Sequence, residues 1–447
     1  MKDYSNSVGV KVPELLLPNP DVDMAKWAVV ACDQYTSQPD YWKEAERIVG
    51  DSPSALRLML PEMYLDKPDE AQRILDINAH MKQYVEDGTL VNCGEGFVLV
   101  RRTTNQKTRT GLILALDLEE YDYTKGAKTL IRATEGTIVE RIPPRLRIRK
   151  DAPLEMPHIL VLIDDPMRTV IEPIAKDLSN ARLLYDFELM QNGGHIDGHL
   201  INDEDSITAV LAALKALADP ERFASKYVRG EAPMLFAMGD GNHSFATAKA
   251  NWEEVKKNIT KEQQQDHPAR YCMVEIENVH DNGIVFEPIH RVIFGIESVA
   301  ALNYLKGRLD ADNGCCEIRI FTSSAERDAD MGKNADLGAH ELPFVAAEGF
   351  GYFRIQGPAS QLPVGTLQRA IDAMMREFGG TVDYIHGENV VNELGSKPGN
   401  IGFLLPPMDK SDLFATVIFD GALPRKTFSM GEANEKRYYL ECRSINR

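Results

Sequence analysis

The sequence predicts an α/β (α+β) protein with mixed sheets and flanking helices, organised in two domains. Strand-like and helix-like stretches alternate along almost the whole chain, which is the pattern of sheets covered by helices. The length of 447 residues also exceeds what one ordinary hydrophobic core supports. We place the boundary between residues 285 and 286, so that the domains span 1–285 and 286–447.

The elements of the first domain follow from apolar periodicity. Short apolar runs predict strands, and apolar residues spaced three and four apart predict helices. In chain order we expect a strand at "KWAVVACDQ", helices at "DYWKEAERIVG" and "PDEAQRILDINAHMKQYVEDG", a strand pair at "GFVLVRRTT" and "RTGLILALDLEEY", a strand at "HILVLIDD", a helix at "SITAVLAALKALAD" and a strand at "APMLFAMG".

A second cycle of strands and helices begins near Gly295. A helix over 297–309 precedes strand "CEIRIF", a strand pair in "LPFVAAEGFGYFRIQ", helix "VGTLQRAIDAMMREFG" and strands "TVDYIHG" and "NIGFLLPP". The polar segment 322–342 is poor in large apolar residues, so we predict a solvated loop there.

Composition narrows the class of protein. The net charge of −18 repels a phosphate backbone, so we expect no nucleic acid partner. No apolar run reaches the roughly 18–20 residues that a membrane span needs. The six cysteines form no CxxC pair and fit reduced thiols. We therefore expect a cytoplasmic protein that acts on a small molecule, with a homo-oligomer left open.

The stretch "LFAMGDGNHSFATAKANW" (235–252) is the strongest candidate site. An apolar run stops at Gly239-Asp240-Gly241-Asn242-His243-Ser244, and a helix-like pattern follows at once. One interpretation is a plain turn, in which glycine supplies positive φ and Asn242 or Ser244 caps the helix. The other is a phosphate cradle, because a helix N-terminus offers unpaired N–H groups and a positive dipole to an anion.

Side chains within this turn suit acid–base and phosphate chemistry. Asp240 is able to take a proton from a hydroxyl or to hold a metal. His243 is able to contact phosphate or to act as an acid or base near neutral pH. The spacing is not that of a P-loop, because no Gly-Lys-Ser/Thr follows. It also departs from the dinucleotide fingerprint, since Ser244 stands where a third glycine is needed.

A basic run lies at 141–150, "RIPPRLRIRK". Arg145, Arg147 and Arg149 alternate, which on a strand places them on one face. That face is either solvated or forms a groove for an acidic substrate, because arginine binds phosphate and carboxylate with two parallel hydrogen bonds.

The chain resembles the family known as domain of unknown function 1015. The 239–244 turn is similar to its Asp-Gly-His-His-Arg motif. Four further motifs carry Asp33 in "ACDQY", Glu135 and Thr137 in "ATEGT", His290 and Arg291 in "PIHRV", and Lys426 in "LPRKTF", and "LPEMY" matches its Pro-Glu. The family in turn resembles the ParB/sulfiredoxin-like superfamily, which includes free serine kinases. The resemblance implies a ParB/sulfiredoxin-like first domain and a second α/β domain that contributes to the same cleft.

This sequence departs from the family motif at three positions. Asn242 replaces the first His, Ser244 replaces the Arg and Thr134 replaces the His before Glu135. The missing arginine means that another cation must bind any phosphate, and the candidates are Arg145, Arg147, Arg291 and Lys426.

The resemblance implies a phosphotransferase acting on a small hydroxylated metabolite, such as serine or phosphoserine. Mg²⁺ and ATP, ADP or pyrophosphate are the expected cofactor and donor. Asp240, His243 and Glu135 are the candidate catalytic residues, and Asp33 is the candidate metal ligand. The candidate phosphate- or substrate-binding residues are Gly239, Gly241, Asn242, Ser244, Arg145, His290, Arg291 and Lys426. A metal-dependent phosphatase and a nucleotide-binding regulator without turnover are the alternatives.

Overall fold

The computed structural model describes residues 8–124, 126–227, 231–333, 335–424 and 426–446. The chain divides into two compact units, Met1–Val285 with Met430–Arg447, and Phe286–Ser429. The sequence pattern predicts the C-terminal residues in the second domain, whereas the structure places them in the first unit. No helix among the described residues is long and apolar enough to cross a membrane.

The first unit is built on a nine-stranded mixed sheet. Val10–Lys11 pairs with Lys107–Asp117, and the other strands follow in the spatial order Arg182–Leu189, Gly194–Ile201, Phe97–Thr104, Lys107–Asp117, Tyr271–Asn278, Leu160–Ile163, Phe236–Asp240 and Ile131–Arg132. Leu160–Ile163 runs parallel to Tyr271–Asn278 and antiparallel to Phe236–Asp240. Three small pairs join Glu14–Pro18 to Leu90–Glu95, Val29–Val30 to Tyr438–Tyr439, and Leu154–Glu155 to Arg443–Ser444.

Both faces of this sheet are buried. Successive side chains of a strand point to opposite faces, so Leu112 and Leu114 pack in one apolar cluster while Ile113 packs in another. The α-helices of the unit are Met24–Trp27, Pro39–Val49, Glu70–Glu86, Ile142–Arg149, Glu172–Lys176, Glu204–Leu217, Pro220–Lys226, Asn242–Val255 and Lys261–Gln265. This confirms the predicted α/β class with mixed sheets and flanking helices.

The prediction of a basic strand at 141–150 is wrong, because the residues form the helix Ile142–Arg149. Pro143 and Pro144 occupy its first turn, where a missing N–H costs nothing. Arg145 is 2.6 Å from Glu62, and Arg147 is 2.7 Å from Glu70. The arginines are therefore paired with carboxylates and do not line an open groove on one strand face.

The second unit contains a six-stranded sheet whose described pairings are all antiparallel. Its strands follow the order Cys316–Phe321, Gly349–Ile355, His340–Ala346, Asn400–Phe403, His290–Phe294 and Thr381–Ile385. Its helices are Ser298–Asn313, Ser324–Asp330, Pro363–Phe378, Glu388–Gly395 and Asp412–Asp420. The loop predicted at 322–342 is wrong in part, since it contains one of these helices and the start of a strand.

Candidate functional site

The predicted turn between a buried strand and a helix is confirmed. Strand Phe236–Asp240 is buried over its first residues, and helix Asn242–Val255 begins after a single intervening residue, Gly241. Gly241 has a φ of 80°, the left-handed region that favours glycine. As N-cap it offers no side-chain acceptor, and the first turn contains no acidic residue. The positive end of the helix dipole is therefore not compensated by residues of its own first turn.

The two glycines of the motif have different roles. A Cβ on Gly239 would lie 2.6 Å from the sulfur of Met430 and 3.1 Å from Leu162, so this glycine permits close packing inside the unit. Gly241 instead provides the backbone conformation of the turn. Close approach of a phosphate is therefore not needed to explain Gly239.

Asp240 forms an ion pair at the end of the strand. Its Oδ2 is 3.0 Å from Lys436 Nζ, and its Oδ1 accepts a hydrogen bond of 2.9 Å from Gly241 N. Burial raises the pKa of Asp240, but the Lys436 ammonium and the Gly241 N–H outweigh it and hold that pKa below its ordinary value. The carboxylate is thus ionised at neutral pH, and its side chain is 27% exposed, so a ligand is able to reach it.

Ser244 is linked to His158, which lies outside the sequence motifs. His158 Nε2 lies 2.8 Å from Ser244 Oγ, and the His158 ring packs edge-on against Tyr439 at 5.3 Å. Ser244 therefore replaces the family arginine with a hydroxyl that is held by an imidazole.

Glu135 lies in a segment attached to the turn at two points. Thr134 Oγ1 donates to the Met238 carbonyl at 2.5 Å, and Ile138 N donates to His243 Nε2 at 3.3 Å. Glu135 lies between these two attachments in sequence, which brings its backbone beside the strand and helix that form the turn.

Asp33 is connected to the same region through its neighbour Cys32. Cys32 N donates to the Tyr439 hydroxyl at 3.3 Å, and Tyr439 contacts His158. Burial raises the pKa of the Cys32 thiol, and the charges of Asp33 and Glu62 raise it further. Two of the sequence motifs, "ACDQY" and "LPEMY", therefore meet around Cys32.

The candidate residues of the second unit are held by that unit. His290 is 1% exposed, and its Nδ1 accepts a hydrogen bond of 3.0 Å from Leu405 N. Burial lowers the pKa of His290. Arg291 is fully buried; its guanidinium donates to Gln368 and, at 2.9 Å, to the carbonyl of the exposed Lys426. Arg291 thus fixes the backbone that carries Lys426. That these residues share a cleft with Asp33, Glu135, Asp240 and His243 stays a prediction.

No group of three or more His, Cys, Asp or Glu in the described parts of the chain is arranged to hold a metal ion. Asp33 Oδ1 accepts from Gln34 Nε2 at 3.0 Å. A Mg²⁺ that enters with a nucleotide needs only one or two protein carboxylates, because phosphates and water fill the other positions. Asp33 fits the binding of a Mg²⁺ that enters with a nucleotide. The described residues do not form a site made of protein ligands alone.

Sequence reasoning missed Lys436 and His158. Lys436 is far from the turn in sequence and is one of 50 lysines and arginines, so no local pattern identifies it. His158 lies two residues before the buried strand Leu160–Ile163, which pairs with Phe236–Asp240. The available signal is a polar residue at the start of the stretch "HILVLIDD" that is predicted as a strand.

Gly241→Ala should destabilise the first unit by about 1–2 kcal/mol, because an L-residue in the left-handed region carries roughly that cost. The new Cβ would also lie 3.0 Å from Ile159. The measurement is urea unfolding followed by tryptophan fluorescence, since Trp27, Trp42 and Trp252 all lie in this unit. Gly136→Ala is the control, because a Cβ there meets no atom within 4 Å. An equal effect of the two substitutions would contradict the argument.

Comparison with known structures gives several matches of low sequence identity. A free serine kinase in complex with ADP is 9% identical, with a TM-score of 0.38, and the match covers 77% of this chain and 95% of that one. A conserved hypothetical protein from Pyrococcus furiosus is 10% identical, with a TM-score of 0.33 and coverage of 73% and 90%. SbnI with a C-terminal truncation, from Staphylococcus aureus, is 10% identical, with a TM-score of 0.33 and coverage of 71% of this chain and 82% of that one.

No curated protein matches this chain in sequence. One protein family does match, over residues 16–373, and that range includes the 239–244 turn and the motifs that carry Asp33, Glu135 and His290. The match spans well over half of the chain. The chain therefore belongs to the family described as "Protein of unknown function (DUF1015)".

Proposed function

We propose that this chain is a cytoplasmic phosphotransferase that transfers a phosphoryl group to a small hydroxylated metabolite of the serine or phosphoserine kind. The observation that carries the proposal is the ion pair of Asp240 and Lys436 at the start of helix Asn242–Val255. It places an ionised carboxylate and an ammonium group at the positive end of a helix, beside a glycine turn.

The donor phosphate is assigned to the N-terminal turn of this helix. Phosphoryl transfer depends on cations at the phosphate oxygens and on a positioned hydroxyl. Lys436 balances the charge of Asp240, so an incoming phosphate does not meet an unpaired carboxylate. Lys436 therefore offsets repulsion by Asp240, and Lys426 is the proposed cation that the loss of the arginine at Ser244 requires.

Asp240 is assigned to the acceptor hydroxyl. An ionised carboxylate accepts the hydrogen bond of the hydroxyl and orients its oxygen for attack on phosphorus. The new P–O bond forms as the bond to the donor's leaving phosphate breaks, and the hydroxyl proton passes to Asp240. Glu135 and His243 lie in the segments beside it and are candidates for the same proton.

Mg²⁺ would neutralise charge on the donor phosphates, with Asp33 as its protein ligand. Asp33 fits because its neighbour Cys32 is joined through Tyr439 and His158 to Ser244 of the turn. ATP, ADP or pyrophosphate is the proposed donor.

The test is calorimetric titration with ATP, ADP, CTP and pyrophosphate in the presence of Mg²⁺, followed by detection of phosphorylated serine by ³¹P NMR. Binding of at least one donor and its consumption with serine support the proposal. Saturable binding without turnover would instead support a regulator, and release of inorganic phosphate from phosphoserine would support a phosphatase. If none of the four donors binds, the proposal fails.

Lys426→Ala should weaken donor binding by about ten- to a hundred-fold if Lys426 contributes a cation, since one charge-assisted contact is worth roughly 1.5–3 kcal/mol. The same titration measures it. Lys397→Ala is the matched control, because Lys397 is an exposed lysine of the same unit that pairs with Glu393. Unchanged affinity in Lys426→Ala would remove this residue from the site and leave the assignment of Lys436 in place.

A further inference from the structure

A cavity of about 200 Å³ lies in the first unit, away from the 239–244 turn. Asp164 lines it and directly follows strand Leu160–Ile163, which runs antiparallel to Phe236–Asp240 with Leu160 opposite Asp240. Four strand residues span about 13 Å. The cavity therefore lies at the opposite end of these strands from Asp240. It does not belong to the proposed phosphotransfer site.

Asp164 is a fixed anchor in the wall of this cavity. Its side chain is 10% exposed and is surrounded by three donors: Lys226 Nζ at 2.5 Å, His280 Nε2 at 2.8 Å and the Tyr227 hydroxyl. Burial raises the pKa of Asp164, but these partners outweigh it and lower that pKa. The ionised carboxylate thus holds Lys226 and Tyr227 in place at the cavity.

A second cation, Arg222, also lines the cavity. Arg222 is exposed, and no carboxylate of the described residues forms an ion pair with its guanidinium. Lys226 balances Asp164, so Arg222 leaves an excess of positive charge at the cavity. In a chain with a net charge of −18, such a local excess does not follow from composition.

Apolar side chains form most of the remaining cavity wall. Phe223, Met234 and Leu235 line it and are each less than 5% exposed, and Leu217 is partly buried. An apolar cavity of about 150 Å³ holds benzene, so 200 Å³ accommodates a ring of that size and one carboxylate.

We propose that this cavity binds a small monocarboxylate with an apolar body about the size of a benzene ring. The carboxylate pairs with Arg222, which presents a fork of N–H donors matched to two carboxylate oxygens. The body of the ligand packs on Phe223 and Leu235. The site is independent of phosphoryl transfer, and its ligand differs in chemistry from a nucleotide.

The test uses benzoate as the probe in NMR titrations of the full chain, with benzyl alcohol and acetate as comparisons. Benzyl alcohol keeps the ring without the charge, and acetate keeps the charge without the ring. Benzoate should bind at least about tenfold more tightly than either, because loss of a charge-assisted contact costs about that factor or more. Equal affinity for acetate and benzoate would show non-specific anion binding and overturn the proposal.

Two variants locate the binding. Arg222→Gln should weaken benzoate binding by about tenfold or more, whereas Arg47→Gln, an exposed arginine paired with Glu44 in the same unit, should not change it. Ser225→Phe fills the cavity from an exposed position and should prevent binding. Benzoate affinity unchanged in both Arg222→Gln and Ser225→Phe, or no benzoate binding to the unaltered chain, would overturn the proposal.

Discussion

Replacing Asp240 by asparagine is expected to abolish phosphoryl transfer while the first unit remains folded. The substitution keeps the size of the side chain but removes the charge that would orient and deprotonate the acceptor hydroxyl. A positioned acid or base contributes about a hundred- to ten-thousand-fold in rate, so turnover should fall by at least a hundredfold. Donor binding at the helix N-terminus should persist, because Gly241 and Lys436 are unchanged.

The same substitution also has a stability cost, because it removes the carboxylate that pairs with Lys436. The side chain of Lys436 is 10% exposed, so its charge is largely removed from water. Loss of such a partner costs about 1–3 kcal/mol. The variant Asp240→Asn/Lys436→Met removes both charges and should recover most of that stability without recovering turnover. Stability is measured by urea unfolding and turnover by ³¹P NMR. Full activity in Asp240→Asn would exclude Asp240 as the base.

The strand-to-helix turn was predictable because its signals are local. An apolar run, two glycines and helical spacing lie within one short stretch of sequence, and each has a direct conformational meaning. The packing role of Gly239, in contrast, is not a local signal. Its need for a glycine comes from Met430, which packs against it from the C-terminal segment and is invisible to local patterns.

The basic helix at 142–149 illustrates a different limit. Alternating arginines are compatible with a strand face, but Pro143 and Pro144 favour the first turn of a helix, and the helix is what forms. The segment 322–342 also differs from its predicted loop, because it contains helix Ser324–Asp330. Ser323 accepts from Glu326 N, and Glu326 accepts from Thr322, so caps define a short helix that apolar periodicity does not reveal.

The C-terminal segment could be predicted only in part. The aromatic content of "RYYLEC" favours a core or an interface, and Tyr438, Tyr439 and Leu440 are buried in the structure. Its return to the first unit depends on pairing with Val29–Val30, which is set by long-range register and not by sequence pattern. The same long-range pairing brings Lys436 to Asp240, a contact that local sequence patterns do not reveal.

Charged side chains that are almost fully buried hold the C-terminal segment in the first unit. Arg437, Glu275, Glu277 and Glu441 are each no more than 1% exposed. Arg437 Nε lies 3.2 Å from Glu275, and its Nη2 bonds Glu441. Burial raises the pKa of Glu277 to about 8; Arg109 opposes that rise, and Glu275 adds to it. Because the folded state favours protonated Glu277, its contribution to stability is present at low pH and is lost as pH rises through about 8.

Arg437→Met should therefore destabilise the first unit by about 3–5 kcal/mol, since breaking a buried ion pair from one side leaves uncompensated charge. The effect should shrink as pH falls from 8 to 5, because protonation of an unpaired buried carboxylate removes that charge. Urea unfolding of the first unit at both pH values measures the loss of stability, with Arg47→Met as a surface control expected to cost less than about 1 kcal/mol.

If the Arg437→Met variant fails to fold, Arg437→Met/Glu441→Gln provides a second measurement, since removing both charges should restore part of the stability. A pH-independent loss smaller than 1 kcal/mol in Arg437→Met would show that packing of the aromatic residues, and not this ion network, holds the C-terminal segment in place.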